Sequence, residues 1–391
     1  MSVGDLKILA GLDGHVPSAL AEALTTMPLV DHHVHGSFTS PLTRGEFEQA
    51  FNEGSPAPIP AFMTQFDSQP GLAIRRWCAP RLGLPAHASA EDYWASRTSL
   101  SVEELDRVML GDAGVERWII DTGFGTGAIS SPETMTERSG APSSEILRLE
   151  QLAEGILATG GPASSFASEF RAALARSKPF VVGFKSIAAY RTGFDIDWSM
   201  PWPGDLKRAV AEVAATSAGP VRLASPVITS FIVHAAAELG LPIQFHVGLG
   251  DRDLDLHRSN PMLLLPLLRQ ADIAETPVML LHTYPYHRES GYLAQAFDNV
   301  YFDVGLTLNY LGTQSTQIVA ESLELAPFAK QLYSSDAFGL PELHLLGSIL
   351  WRRSMAQVLG KWVREGDWSE PDAVRVAEMI GHGNARRAYG V

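Results

Sequence analysis

Leu29-Val30-Asp31-His32-His33-Val34-His35-Gly36 begins as an apolar run and ends in a cluster of imidazoles. Six to eight residues of this kind suit a buried strand of a parallel sheet. Residues two apart on a strand share a face, so His33 and His35 point together while His32 and Val34 point towards surrounding helices. Two imidazoles on one face at a strand's end form a claw for a metal ion. Taken alone, a His-x-His pair is weak evidence, because chance and satisfied core histidines produce many such pairs.

The same grammar recurs downstream. Further β-type runs occupy 118–124, 145–150, 180–187, 243–248, 278–284, 300–305 and 332–338. Amphipathic stretches at 162–176, 227–238 and 263–271 lie between them. Strands alternating with helices predict βαβ units and a parallel sheet, and eight units predict an α/β fold closed as a (β/α)8 TIM barrel. The chain of 391 residues is then expected to be one domain, 1–391. Two gaps are long: about 80 residues after the first strand and about 55 after the fourth, against ~31 for an even division of a barrel. The first is too long for a bare loop. It predicts a helical lid inserted over 37–117, which as a βα connection belongs at the catalytic face. Past the last strand, 341–362 reads as a long apolar helix and 372–388 closes the chain.

Several later runs also close in a polar residue. The fourth carries Lys185, the fifth His246, the sixth His282 and the eighth Asp336. Barrel enzymes place their catalytic groups at these strand ends. Each residue has a plain structural reading, a core histidine or a helix cap; the joint pattern is hard to obtain by accident. The order His-x-His, Lys, His, His, Asp resembles that of the amidohydrolase superfamily of metal-dependent barrel hydrolases. Phe184-Lys185-Ser186-Ile187-Ala188-Ala189-Tyr190-Arg191, His246-Val247-Gly248-Leu249-Gly250-Asp251 and Ser335-Asp336-Ala337-Phe338-Gly339-Leu340-Pro341-Glu342 are similar to its amidohydrolase 2 branch. The same holds for Gly383-Asn384-Ala385-Arg386-Arg387-Ala388-Tyr389. Within the branch they look closest to the domain of FluG- and nodulin-like proteins, which is often joined to a glutamine synthetase. The resemblance runs from Leu29 to Tyr389, is weakest across the inserted segment, and includes no synthetase region.

The resemblance implies a metal-dependent hydrolase acting on a C–N, amide-like bond of a small molecule. His33, His35 and Asp336 would hold a divalent ion, with His246 as a further ligand. Histidines with one carboxylate suit Zn²⁺, and Mn²⁺ or Fe²⁺ also fit. Asp336 and His282 would be catalytic, Asp336 as the proton-transfer group. His282 is a ligand if two ions are present and a hydrogen-bond donor to the reacting group if there is one. Lys185 is a bridging ligand if carbamylated, and otherwise a cation facing substrate or a neighbouring acid. Arg191 offers a fork for a substrate carboxylate, or is a surface arginine. The glutamine-synthetase association points to amino-acid-like amides. A decarboxylase or isomerase on the same barrel is the alternative, since one scaffold serves many chemistries.

Composition narrows the partners. Thirty Lys+Arg against 44 Asp+Glu give a net charge of −14, which argues against nucleic acid or an anionic membrane as main partner. The single cysteine, Cys78, excludes an intramolecular disulfide and a multi-cysteine zinc site. No signal-peptide pattern and no uninterrupted apolar span is visible, so a cytoplasmic protein is expected. Assembly into a homo-oligomer is compatible with the sequence.

Overall fold

A computed structural model describes residues 7–12, 14–125, 127–216 and 219–391. Seven parallel strands follow one another in chain order: β1 (Leu29–Val34), β2 (Val115–Asp121), β3 (Ser143–Arg148), β4 (Val181–Ser186), β5 (Ile243–His246), β6 (Val278–Leu281) and β7 (Val300–Phe302). The eighth expected strand is an extended segment, 331–338, rather than a regular one. It still closes the sheet. Leu332 N donates to Phe302 O at 3.1 Å on one side, while His32 N donates to Tyr333 O at 3.2 Å and Asp336 N to His33 O at 3.1 Å on the other. The fold is an α/β barrel. Among the described residues no helix is long and apolar enough to cross a membrane.

Alternation along the strands builds two apolar layers. On β6, Met279 and Leu281 join an inner cluster with Val30, Ile119 and Ile146, while Val278 and Leu280 belong to the layer beneath the helices. The inner layer is plugged from below. The 372–388 region is not one helix but Glu370–Glu378, a wider turn at Met379–Gly383, and Asn384–Tyr389, whose Tyr389 enters the barrel interior. Proline at the N-terminus starts the 25-residue helix Pro341–Glu365, and left-handed Gly366 ends it.

The long connection after β1 carries the helices Arg44–Gln49, Gln69–Trp77 and Ala90–Thr98. Its expected boundary runs too far. The helix Val102–Asp112 packs along Pro341–Glu365 as the barrel's own crossover helix, and β2 already begins at Val115. The cause is legible: Ser101 and Glu104 form a capping box that starts this helix immediately after the insert. The insert is anchored by Arg97, whose Nε donates to Glu342 Oε1 at 2.6 Å, with Tyr93 OH on the same oxygen at 3.2 Å.

Candidate metal centre and active site

The strict alternation expected for β1 fails at the residues that matter. Between Asp31 and Val34 the pairing with β2 slips, so β1 spends an extra residue there. Such a bulge re-aims side chains. His32, expected to face the helices, points into the barrel instead. Its Nε2 lies 2.9 Å from Asp303 Oδ2 and its Nδ1 3.0 Å from the Tyr389 hydroxyl. His33 and His35 come together as expected. Their ligand atoms and that of Asp336 all lie within 4.8 Å of one another. His33 Nε2 is 3.0 Å and His35 Nε2 3.6 Å from Asp336 Oδ1. His35 Nδ1 donates to Asp121 O at 2.9 Å, which fixes the ring and leaves Nε2 free.

Three residues here hold backbone conformations that side chains disfavour: Asp336 (φ 45°), His282 (φ 47°) and Thr283 (φ 45°). Two of these are among the polar strand-end residues of the sequence pattern. Strain retained at a cluster of polar groups marks a functional site. Gly36 is a necessity of packing, because a Cβ there would sit 2.2 Å from Ser130 O.

Lys185, 2% exposed, places Nζ 3.0 Å from His33 Nε2. Burial pushes its ammonium down to about 8, against the opposing pull of Asp121 and Asp336. His246 and His282 pair with each other, Nδ1 to Nε2 at 3.0 Å, and His282 Nε2 is 3.6 Å from Asp336 Oδ2. Neither belongs to the tight three-residue group. Burial lowers His282 to about 4 and holds His33 and His246 well below the usual imidazole range. His33 Nδ1, His246 Nε2 and His282 Nδ1 are buried without a hydrogen-bond partner. Imidazoles held neutral by burial, with His33 Nε2 and His35 Nε2 turned to one carboxylate, are the donor set a divalent transition-metal ion takes.

This floor opens into a cavity of about 570 Å³. Arg191 lines it, where the sequence offered either a substrate fork or a surface residue. It is largely buried, contacts Glu154 at 3.2 Å, and keeps Nε and Nη1 unpartnered. Sequence reasoning passed over Arg148, at the end of β3, which lines the same cavity and donates from Nη2 to Asp121 Oδ2 at 2.5 Å. It also passed over Tyr190, whose ring lies 4.4 Å from that of His246. From the insert, Glu53 reaches the cavity. Burial, and then the charges of Asp336 and Asp251, push its carboxyl up to about 8.

The amidohydrolase family model matches residues 197–391. Protein fluG of Emericella nidulans is 28% identical over 421 residues, covering 95% of this chain. The chain belongs to the amidohydrolase superfamily. It spans about half the length of its fluG relative, 47%. Among solved structures, this superfamily member is similar to a candidate metal-dependent hydrolase of Lactobacillus casei, with 25% identity and TM-score 0.79 over 95% of this chain and 97% of the other. Uronate isomerases of Bacillus halodurans and Thermotoga maritima share the fold. The first is 15% identical at TM-score 0.65, covering 95% of each chain. The second is 12% identical at TM-score 0.65, covering 97% of this chain and 99% of its own.

Proposed function

We propose that the chain, acting as one barrel domain, is a metal-dependent hydrolase cleaving a C–N, amide-like bond in a small molecule that bears a carboxylate. The observation that carries this reading is a His33–His35–Asp336 group at the floor of a cavity whose wall holds the unpaired N–H groups of Arg191. Zn²⁺ is the ion best suited to two histidines and an aspartate. A divalent ion at these residues supplies Lewis acidity that lowers the pKa of water towards ~7 and polarises a carbonyl.

The chain's own groups do the rest. Asp336 turns Oδ2 away from the His33 contact, where it accepts the proton of the attacking water and returns it to the leaving amine. His282, neutral and 3.6 Å from that oxygen, orients the reacting group by hydrogen bonding. Arg191 holds the carboxylate of the substrate in a fork. Lys185, with its lowered amine, meets the requirement for reaction with CO₂, which needs the neutral amine. As a carbamate it would serve as a ligand alongside His246 and His282; unmodified, it contacts substrate. The insert after β1 covers the mouth and keeps water out.

The test is a panel of matched amides with and without a free carboxylate, given to metal-loaded wild type and Arg191→Ala. Release of ammonia or amine, preference for the acids, and loss of that preference in Arg191→Ala are expected. Carbon dioxide release or isomerisation without C–N cleavage would replace hydrolysis by the alternative chemistry. An Arg191→Ala enzyme that keeps its preference would remove Arg191 from recognition.

A further inference from the structure

The cavity is electrically two-sided. Arg148, Lys185, Arg191 and Arg222 line it with positive charge, and Glu46, Glu53, Asp251, Asp253 and Asp336 line it with negative charge. Most of the cations have partners: Arg148 has Asp121, Arg191 has Glu154, and Lys185 has His33. Glu53 forms no hydrogen bond and no ion pair among the described residues. The charges that act on it are those of Asp251 and Asp336, both of its own sign. A half-buried carboxylate with like-charged neighbours is costly unless a cation joins it.

A second observation points to the same corner. His246 is 7% exposed and its Nε2 has no partner. That nitrogen is aimed at the loop after β5: a Cβ on Gly250 would lie 3.0 Å from it and 2.0 Å from the Tyr190 hydroxyl. Asp251 follows directly, with its backbone N–H 3.4 Å from the Tyr190 hydroxyl. The corner therefore holds Glu53, Asp251, a tyrosine hydroxyl and an imidazole nitrogen. It does not close on a metal ion, because the one tight ligand group found among the described residues is His33, His35 and Asp336. An organic cation, larger and bound by dispersed acceptors, fits such a corner better.

We infer that Glu53, with Asp251, recognises a protonated amine, so that the substrate carries an ammonium group as well as the carboxylate assigned to Arg191. This deepens the proposed function and rests on its cavity. Because Glu53 lies on the insert and Arg191 follows β4, a molecule bearing both charges bridges the insert and the barrel. Glu53 is then a specificity-determining residue, and its ion pair with the ligand helps to hold the insert over the mouth.

Isothermal titration of the metal-loaded full chain with pentanoate, pentylamine and 5-aminopentanoate tests this without turnover. The expected result is about tenfold tighter binding of 5-aminopentanoate than of pentanoate, the worth of one charged hydrogen bond. Glu53→Gln should erase that difference, leave pentanoate binding unchanged and weaken pentylamine. Pentanoate bound as well as 5-aminopentanoate, or a Glu53→Gln protein that keeps the preference, overturns the inference and spares the carboxylate reading. Pentylamine bound in a Glu53-dependent way without pentanoate binding supports the inference and removes the carboxylate role of Arg191. Absence of binding by all three overturns both. An unchanged thermal midpoint for Glu53→Gln shows that its effect is on recognition.

Discussion

Removing the Glu342 carboxylate should unfasten the insert from the barrel. Glu342 lies in the first turn of the Pro341–Glu365 helix and is fully buried, and Arg97 on the Ala90–Thr98 helix is nearly so. Arg97 meets it through Nε at 2.6 Å and Nη2 at 3.4 Å. The guanidinium also lies 4.5 Å from the Phe47 ring centroid, and Phe47 belongs to the helix that brings Glu46 and Gln49 to the cavity. Deleting one partner of a buried pair strands the other charge, at about 3–5 kcal/mol. In Glu342→Ala the stranded groups are the Arg97 guanidinium and the Tyr93 hydroxyl. Glu342→Gln keeps an acceptor and should lose about half as much. Replacing both partners, Arg97→Met with Glu342→Met, removes the stranded charge and should recover most of the loss.

Urea unfolding monitored by tryptophan fluorescence reads these differences, because Trp94 lies on the anchored helix. The same variants should raise KM more than they lower kcat, since the pair ties the insert to the barrel and neither partner is one of His33, His35 and Asp336. A Glu342→Ala protein destabilised by less than about 1 kcal/mol would refute the argument, as that is the range of an exposed pair. A double variant as unstable as the sum of the single losses would refute it equally, because independent sites add.

Asp336→Asn, with metal content measured alongside, should lose ~10²–10⁴-fold in kcat at little cost in binding; near-normal turnover in the metal-replete variant excludes Asp336 as proton carrier. Bicarbonate during reconstitution should raise metal occupancy towards two ions if Lys185 is carbamylated, with Lys185→Ala holding one; occupancy that ignores bicarbonate leaves Lys185 as a substrate contact. Asp121 tests the electrostatics of the wall. Burial alone would raise its carboxyl, but Arg148, His35 and Lys185 outweigh it and hold the group well below the ordinary range. A depressed folded-state pKa contributes stability above the unfolded value of about 4, and that contribution is lost as pH falls below it. The stability gap between wild type and Asp121→Asn should therefore be full at neutral pH and narrow on acidification; a gap independent of pH contradicts the assignment.

His33, His35, His246, His282, Lys185 and Asp336 were legible because each closes an apolar run, and a buried parallel strand leaves few other reasons for a polar residue there. The seven strands were legible for the same reason. What escaped depends on contacts between distant residues. Arg148 stands in Glu145-Ile146-Leu147-Arg148-Leu149-Glu150, where an arginine among acids reads as solvated; only the return of β2 puts Asp121 against it. Glu53 sits among Asn52, Gly54, Ser55 and Pro56, a turn-forming composition that says nothing of what the turn covers. The eighth segment was placed where it closes the sheet, but not its irregularity, which includes the left-handed backbone at Asp336.

The bulge in β1 was the least legible feature and organises the most. A regular strand would send His32 and His33 to opposite faces. With one extra residue between Asp31 and Val34, both turn inward but at different depths. His32 engages Asp303 and the Tyr389 plug, while its carbonyl accepts from Gln244 Nε2 at 2.8 Å. His33 engages Asp336 and Lys185 above. Asp303 in turn receives the His282 backbone N–H at 2.9 Å and Ser334 Oγ at 2.7 Å. The buried polar layer beneath the ligand cluster therefore joins β1, β6, β7 and the closing segment, and it fixes the strained backbone at His282 from below. Preorganisation of this kind requires supporting groups that are themselves held by hydrogen bonds and packing. Tyr389 is thus part of the support beneath the candidate metal-binding floor, which it reaches through His32 and Gln244.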